Sequence, residues 1–299
     1  DALGSRRFLN HHAHRLRRAG VDVRAALPVH LLKRMKRRVD TRNHRKIAVI
    51  DGTVGYTGSQ NIIEPHYGRR DLVWRDVSVC IRGPAVLELE TLFLSDWCAE
   101  AHETDSLDTP LPLPDSVGEA PVQILPSGPL YSRQNYQRLV VAALHYAREH
   151  VIVTTPYFVP DDALLQAMET ACLHGVEVDL VLPAKTDQIL PGLAARSYYG
   201  ELLRYGVRIH LHPDLLHAKT MTIDGELTFL GSSNFDIRSF ALNFEATAIF
   251  YGRENAAKFL GLQRRYIQEA AILHRHVWEK RGMTVKLGEG IVRLLSPLL

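Results

Sequence analysis

The sequence predicts an α/β fold made of two pseudo-symmetric halves, each a mixed β-sheet flanked by helices, with the first half truncated on its N-terminal side. Three observations lead there. RNHRKIAVIDGTVGYTGSQN (residues 42–61) returns as LHAKTMTIDGELTFLGSSN (216–234), with His217 placed 173 residues after His44. Strand and helix patterns alternate through the second half. A Pro-rich polar stretch, TDSLDTPLPLPDSVGEAP, lies between the copies and reads as a linker. The domains accordingly divide as residues 1–103, 104–121 and 122–299.

In chain order, SRRFLNHHAHRLRRAG (5–20) predicts a helix and VDVRAALPV (21–29) a strand. The first motif copy follows, then WRDVSVCIRGP (74–84), an alternating strand that begins at Asp76 and ends at Gly83. In the second half, HVIVTTPYFVP, DDALLQAMETACLHG, VEVDLVLP, ARSYYGELLRYG and VRIHLHP alternate strand, helix, strand, helix, strand. NFEATAIFYGR then matches WRDVSVCIRGP, so Glu245 aligns with Asp76 and Gly252 with Gly83. His44 to Asp76 is 32 residues and His217 to Glu245 is 28, a difference that the loop PHYGRRDL absorbs. By analogy with the second half, the first lacks a strand, a helix and a strand, roughly 40 residues. Apolar residues from Ala256 to Val277 predict an amphipathic helix over 253–281, stopped by Gly282. The closing IVRLLSPLL is apolar enough to touch a membrane and is expected to dock on the core.

At 299 residues and 46% hydrophobic, the chain can bury a core in each half, which excludes disordered and fibrous classes. Cys80, Cys98 and Cys172 lie far apart without a CxxC pair and read as reduced thiols. No run of apolar residues is long enough to span a bilayer, and no positively charged segment followed by an apolar stretch reads as a signal peptide. The chain opens on Asp1, so a membrane anchor is expected upstream. A net charge of +3 names no partner, but Lys33, Arg34, Lys36, Arg37, Arg38, Arg42, Arg45 and Lys46 crowd together, a run fit for docking an anion.

In HRKIAVID a side-chain period of two puts His44 and Lys46 on one face; in HAKTMTID it pairs His217 with Lys219. Asp51-Gly52 and Asp224-Gly225 are hairpin signals, and the returning strands bring Ser59 with Asn61 and Ser232 with Asn234. Such a patch suits a phosphate: Lys gives positive charge, Ser and Asn give neutral donors, and His serves as nucleophile, acid or base. One patch reaches one side of phosphorus, whereas two facing patches allow in-line attack by one His and protonation of the leaving oxygen by the other. Asp51 and Asp224 sit at the turns on the opposite parity, as hairpin formers. Asp76 and Glu245 are the carboxylates free to orient the imidazoles, each ring backed by its own. Lys rather than a ligand type stands two residues after each His, which argues against a metal.

H-x-K-x4-D-x6-G-S-x-N in two copies resembles the phospholipase D superfamily. WRD, PSGP, PYFVPD, GSSNFDIRSFALNFE and RLLSPLL narrow the resemblance to bacterial cardiolipin synthases. It implies two phospholipase D-like domains and a phosphatidyltransferase that converts two phosphatidylglycerols to cardiolipin and glycerol. His44 would form a phosphatidyl-histidine, and His217 would act as acid and then base. Lys46, Lys219, Asn61 and Asn234 would hold phosphate oxygens with Ser59 and Ser232 beside them. Asp51 and Asp224 enter the active site on the resemblance alone. It further implies no metal or organic cofactor, no nucleic acid, no obligatory protein partner, and a peripheral place on the cytoplasmic face of the bacterial inner membrane. A phosphodiesterase or nuclease of the same superfamily, and a silent lipid-binding scaffold, are the alternatives.

Overall fold

A computed structural model describes residues 1–28, 40–63, 71, 73–101, 111–131 and 134–294. Its largest sheet has nine strands and belongs mostly to the second half. At its centre, His150–Thr154, Glu177–Pro183 and Arg208–His212 run parallel, joined by right-sized helical crossovers, Asp162–Leu173 and Ile189–Tyr205. Asp161 starts the first of these helices by accepting from Leu164 N at 2.9 Å. On the other side of His150–Thr154 the second motif's hairpin, Thr220–Ile223 and Leu227–Gly231, pairs antiparallel and leads to Asn243–Tyr251. That long strand also pairs with Val122–Ser127 and, in parallel, with the short strand Arg42–Asn43.

The first motif's hairpin, Ile47–Ile50 and Val54–Gly58, forms a three-stranded sheet with Ser78–Arg82, backed by the helix Ala85–Ala101. Both hairpins turn through Asp-Gly pairs with positive φ, 50° and 64° at Asp51-Gly52 and 50° and 65° at Asp224-Gly225, as the turn chemistry required. The halves do not keep separate cores. Ile81, Val86, Leu89 and Leu92 pack in one cluster with Ile124, Leu230, Ala246 and Phe250 from beyond the linker. The duplicated hairpins also differ in cover: Met221, Ile223, Phe229 and Ile249 are buried beneath helices, while their counterparts Ala48, Ile50, Tyr56 and Cys80 are exposed. Cys80, Cys98 and Cys172 form no disulfide among the described residues.

Three expected elements differ. The helix over 5–20 is two short ones, Arg6–His11 and Ala13–Arg18, broken at His12. Residues 21–28 form no strand: alternation yields one only where a neighbouring edge pairs with it, and here Val23 O accepts from Arg17 and Ala26 O from Ala2. The helix over 253–281 stops at Glu269, because Ala271–Ile272 pairs with His210 and Leu211 at the sheet edge before a further short helix, Arg275–Glu279. Of the linker, residues 111–121 are described and lack regular structure. Residues 104–110, most of the loop 65–72, the tail 295–299 and the basic residues Lys33, Arg34, Lys36, Arg37 and Arg38 lie outside the described residues.

Candidate active site

Two short parallel pairings assemble the site. Arg42–Asn43 runs beside Asn243 and Phe244, and Leu215–Leu216 runs beside Trp74 and Arg75. Each pairing ends one residue before a motif histidine on one strand and a carboxylate on the other. The backbone locks the register, with His44 N donating to Phe244 O and His217 N to Arg75 O, both at 2.9 Å. Consequently His44 Nδ1 lies 2.9 Å from Glu245 Oε1, and His217 Nδ1 lies 2.6 Å from Asp76 Oδ1. The sequence expected each ring to be backed by its own carboxylate without saying which; the halves exchange them. A hydrogen bond at Nδ1 leaves Nε2 as the reactive nitrogen on both rings.

The motif serines complete this exchange. Ser59 Oγ donates to Asp76 at 2.7 Å and Ser232 Oγ to Glu245 at 2.5 Å. They hold the carboxylates, in place of the phosphate-side position that the resemblance implied. The preceding glycines make this possible by close strand approach: a Cβ on Gly58 would stand 2.4 Å from Val77 O, and one on Gly231 2.4 Å from Ala246 O. Lys46 and Lys219 each curl back to the carbonyl of their own histidine, at 2.7 and 2.6 Å.

Electrostatics tie the two halves into one cluster. Burial lowers the pKa of His44, opposed by Glu245 and reinforced by Lys46 and Lys219. Burial also lowers that of His217, to about 3, with Lys219 and Lys46 adding to the effect and Asp76 opposing it. Lys219 is held at about 7 and Lys46 at about 8, again chiefly by burial, against the ordinary 10.5. Burial works to raise Glu245 and Asp76, but the histidines, lysines and serines outweigh it and both stay below the usual carboxylate range. His44 keeps 28% of its side chain exposed and His217 5%.

Other expected residues take different places. Asn234 is buried and its Oδ1 has no hydrogen-bond partner among the described residues, while Asn61 is half-buried. Asp224 is a turn builder, accepting from the backbone N–H groups of Arg148, Glu149 and His150 at 2.8, 2.9 and 2.9 Å. Asp51 is exposed in the equivalent turn. Both residues occupy the hairpin turns, where their strand parity puts them. Arg45, from the basic run, faces inward: it pairs with Asp96 and donates to Glu245 O at 3.1 Å.

Sequence reasoning missed Trp74, whose ring centroid is 4.6 Å from that of His217, and Asn243, whose Nδ2 donates to Glu245 at 3.2 Å. Both stand two residues before a site carboxylate, so the period of a strand was the available signal. It also missed Asp236, which burial raises to about 6 and which caps the helix Ile237–Ala241 by accepting from Ser239 N.

Fold and site together define a class: duplicated α/β proteins whose repeats contribute jointly to one cluster of two histidines, two lysines and two carboxylates. Residues 140–264 match the family model described as cardiolipin synthase, PLD-like domain. Along its whole length the chain is 36% identical to cardiolipin synthase A of Pectobacterium carotovorum and 35% identical to that of Klebsiella pneumoniae, and it spans 63% of each. The phosphatidylserine synthase of Haemophilus influenzae Rd KW20 shares the fold, with a TM-score of 0.65 at 13% identity over 86% of this chain and 71% of the other. The chain is thus similar over its whole length to cardiolipin synthases, and its residues 140–264 are similar to a PLD-like domain.

Proposed function

We propose that the protein is a phosphatidyltransferase that joins two phosphatidylglycerols into cardiolipin and releases glycerol. The observation that carries this reading is the reciprocal pairing of His44 with Glu245 and His217 with Asp76. Two imidazoles, each oriented by a carboxylate through Nδ1, supply what displacement at a phosphodiester needs: a nucleophile on one side and a proton donor on the other. Similarity to cardiolipin synthases supports the choice of lipid.

In the first step Nε2 of His44 attacks phosphorus, the bond to the glycerol oxygen breaks, and that oxygen takes the proton from Nε2 of His217. In the second, the hydroxyl of another phosphatidylglycerol gives its proton to His217 and attacks the phosphatidyl-histidine, breaking the P–N bond and freeing His44. Glu245 stabilises the imidazolium character that His44 gains, and Asp76 does so for His217. Lys46, Lys219, Asn61 and Asn234 hold the non-bridging oxygens.

Charge balance explains how one histidine is protonated for this role. Two lysines offset two carboxylates around neutral imidazoles, so a phosphodiester monoanion brings one uncompensated negative charge, which raises the affinity of His217 for a proton. The greater exposure of His44 favours it as the group that receives the bulky phosphatidyl. The bilayer that holds the substrate is the bacterial inner membrane in this reading, with the chain on its cytoplasmic face. Full-length protein incubated with phosphatidylglycerol, without added metal, is expected to release one glycerol per cardiolipin. Failure to form cardiolipin under any lipid condition overturns the reading.

A further inference from the structure

The last helix, Met283–Leu294, turns an apolar stripe away from the protein. Met283, Leu287, Ile291 and Leu294 recur at steps of four, four and three, which places them on one face. They are 79%, 65%, 56% and 79% exposed. A surface helix ordinarily buries such a stripe. Here the other face is fixed instead. Glu289, 3% exposed, accepts from Arg196 at 2.9 Å and from Arg281 at 2.7 Å. Arg293 donates to Glu201 at 3.0 Å and lies over the Tyr198 ring, and Val292 packs on the main core. Anchored by three ion pairs, two of them on the buried Glu289, the helix cannot roll its apolar face inward.

Charge around the stripe is positive. Residues 280–294 carry Lys280, Arg281, Lys286 and Arg293 against Glu289, a net of +3. The sequence continues with Leu295, Leu298 and Leu299. Among the described residues no helix is long and apolar enough to cross a membrane, so this is the geometry of a helix that lies along an interface.

We propose that Met283–Leu294 is a docking surface for an anionic phospholipid bilayer. Its apolar stripe enters the headgroup–acyl boundary while Lys280 and Lys286 meet lipid phosphates. The proposal rests on the functional reading for the source of the lipid, and not on turnover. It also reverses the expectation that the C-terminal segment docks wholly on the core.

The test is sedimentation of the 299-residue chain with vesicles of phosphatidylcholine alone or mixed equally with phosphatidylglycerol. Binding to the mixed vesicles is expected to be at least tenfold tighter. Leu287→Glu with Ile291→Glu should cut it at least tenfold, and Lys280→Gln with Lys286→Gln should flatten its salt dependence. Because all four side chains are exposed, an unchanged Tm verifies the fold of each variant. A fluorophore on Leu287→Cys should shift to the blue when vesicles are added. Equal binding by wild type and the Leu287/Ile291 variant, or no binding to the mixed vesicles, overturns the proposal. So does a dimer that the same variant dissolves, since a second copy then covers the stripe. Stripe-dependent binding by a protein that forms no cardiolipin refutes the functional reading and leaves the surface standing.

Discussion

His44 Nδ1 lies 2.9 Å from Glu245 Oε1, a carboxylate 201 residues further along the chain, and His217 repeats the arrangement with Asp76 at 2.6 Å. Neither half owns a complete histidine–carboxylate pair. A carboxylate behind the ring fixes the tautomer and supports the charge that forms there, so each half governs the chemistry of the other's histidine.

The exchange gives a kinetic signature. Glu245→Gln should behave like a milder His44→Ala, and Asp76→Asn like a milder His217→Ala, each lowering kcat by about 10² to 10⁴-fold. A p-nitrophenyl phosphodiester separates the pairs, because its leaving group needs no proton. With it, Asp76→Asn and His217→Ala should keep a burst of nitrophenolate that Glu245→Gln and His44→Ala lose. Bursts sorted by half, with Asp76→Asn grouped with His44→Ala, would contradict the exchange.

The serine-glycine pairs should act through geometry. At Gly231 an added Cβ meets backbone, Ala246 O at 2.4 Å and Thr247 Cα at 2.7 Å, and the strand must shift to admit it. Gly231→Ala is expected to cost about 2–4 kcal/mol, read by urea unfolding. Ser232→Ala removes the donor to Glu245 and should lower kcat about tenfold with KM unchanged.

Asp224→Ala should damage folding and spare chemistry. Three backbone N–H groups lose their acceptor, at about 1–3 kcal/mol for the polar groups left unpaired. Thermal unfolding should show the loss, while kcat per folded molecule stays within about twofold by active-site titration. A kcat lower by a hundredfold in a folded variant would restore Asp224 to the catalytic group.

These roles separate what a single sequence reveals from what it hides. Both hairpins were legible, since Asp-Gly turns and strand parity are local and put His44 with Lys46 and His217 with Lys219. The parity of Asp224 likewise foretold its turn. The exchange of Asp76 and Glu245 was hidden because it depends on two-residue strands, Arg42–Asn43 and Leu215–Leu216, too short for any periodicity and paired across the linker. At residues 271–272 the helical pattern failed for the same reason: a sheet edge distant in sequence claimed the backbone.

Binding and stability should respond to pH in opposite directions. Burial holds Lys219 at about 7 and Lys46 at about 8, so between those values and about 10.5 the unfolded chain retains protons that the folded chain has released. Their contribution to stability therefore rises with pH across that window. An anionic substrate favours the charged lysines, and KM should rise above pH 7, by up to about tenfold per unit for each proton lost. Lys219→Met should remove the lower of the two breaks in a KM profile taken from pH 6 to 10.

The most direct measurement is chemical trapping. A p-nitrophenyl ester of phosphatidic acid labelled in its phosphate, whose leaving group needs no proton, is incubated with the His217→Ala and His44→Ala variants, each sample is quenched in alkali, and the labelled peptide is sequenced. Label on the peptide that contains His44, found in His217→Ala and absent from His44→Ala, is the expected result. Label on His217 instead, or full turnover by either single variant, would contradict a site in which two halves act on one phosphorus with His44 as nucleophile.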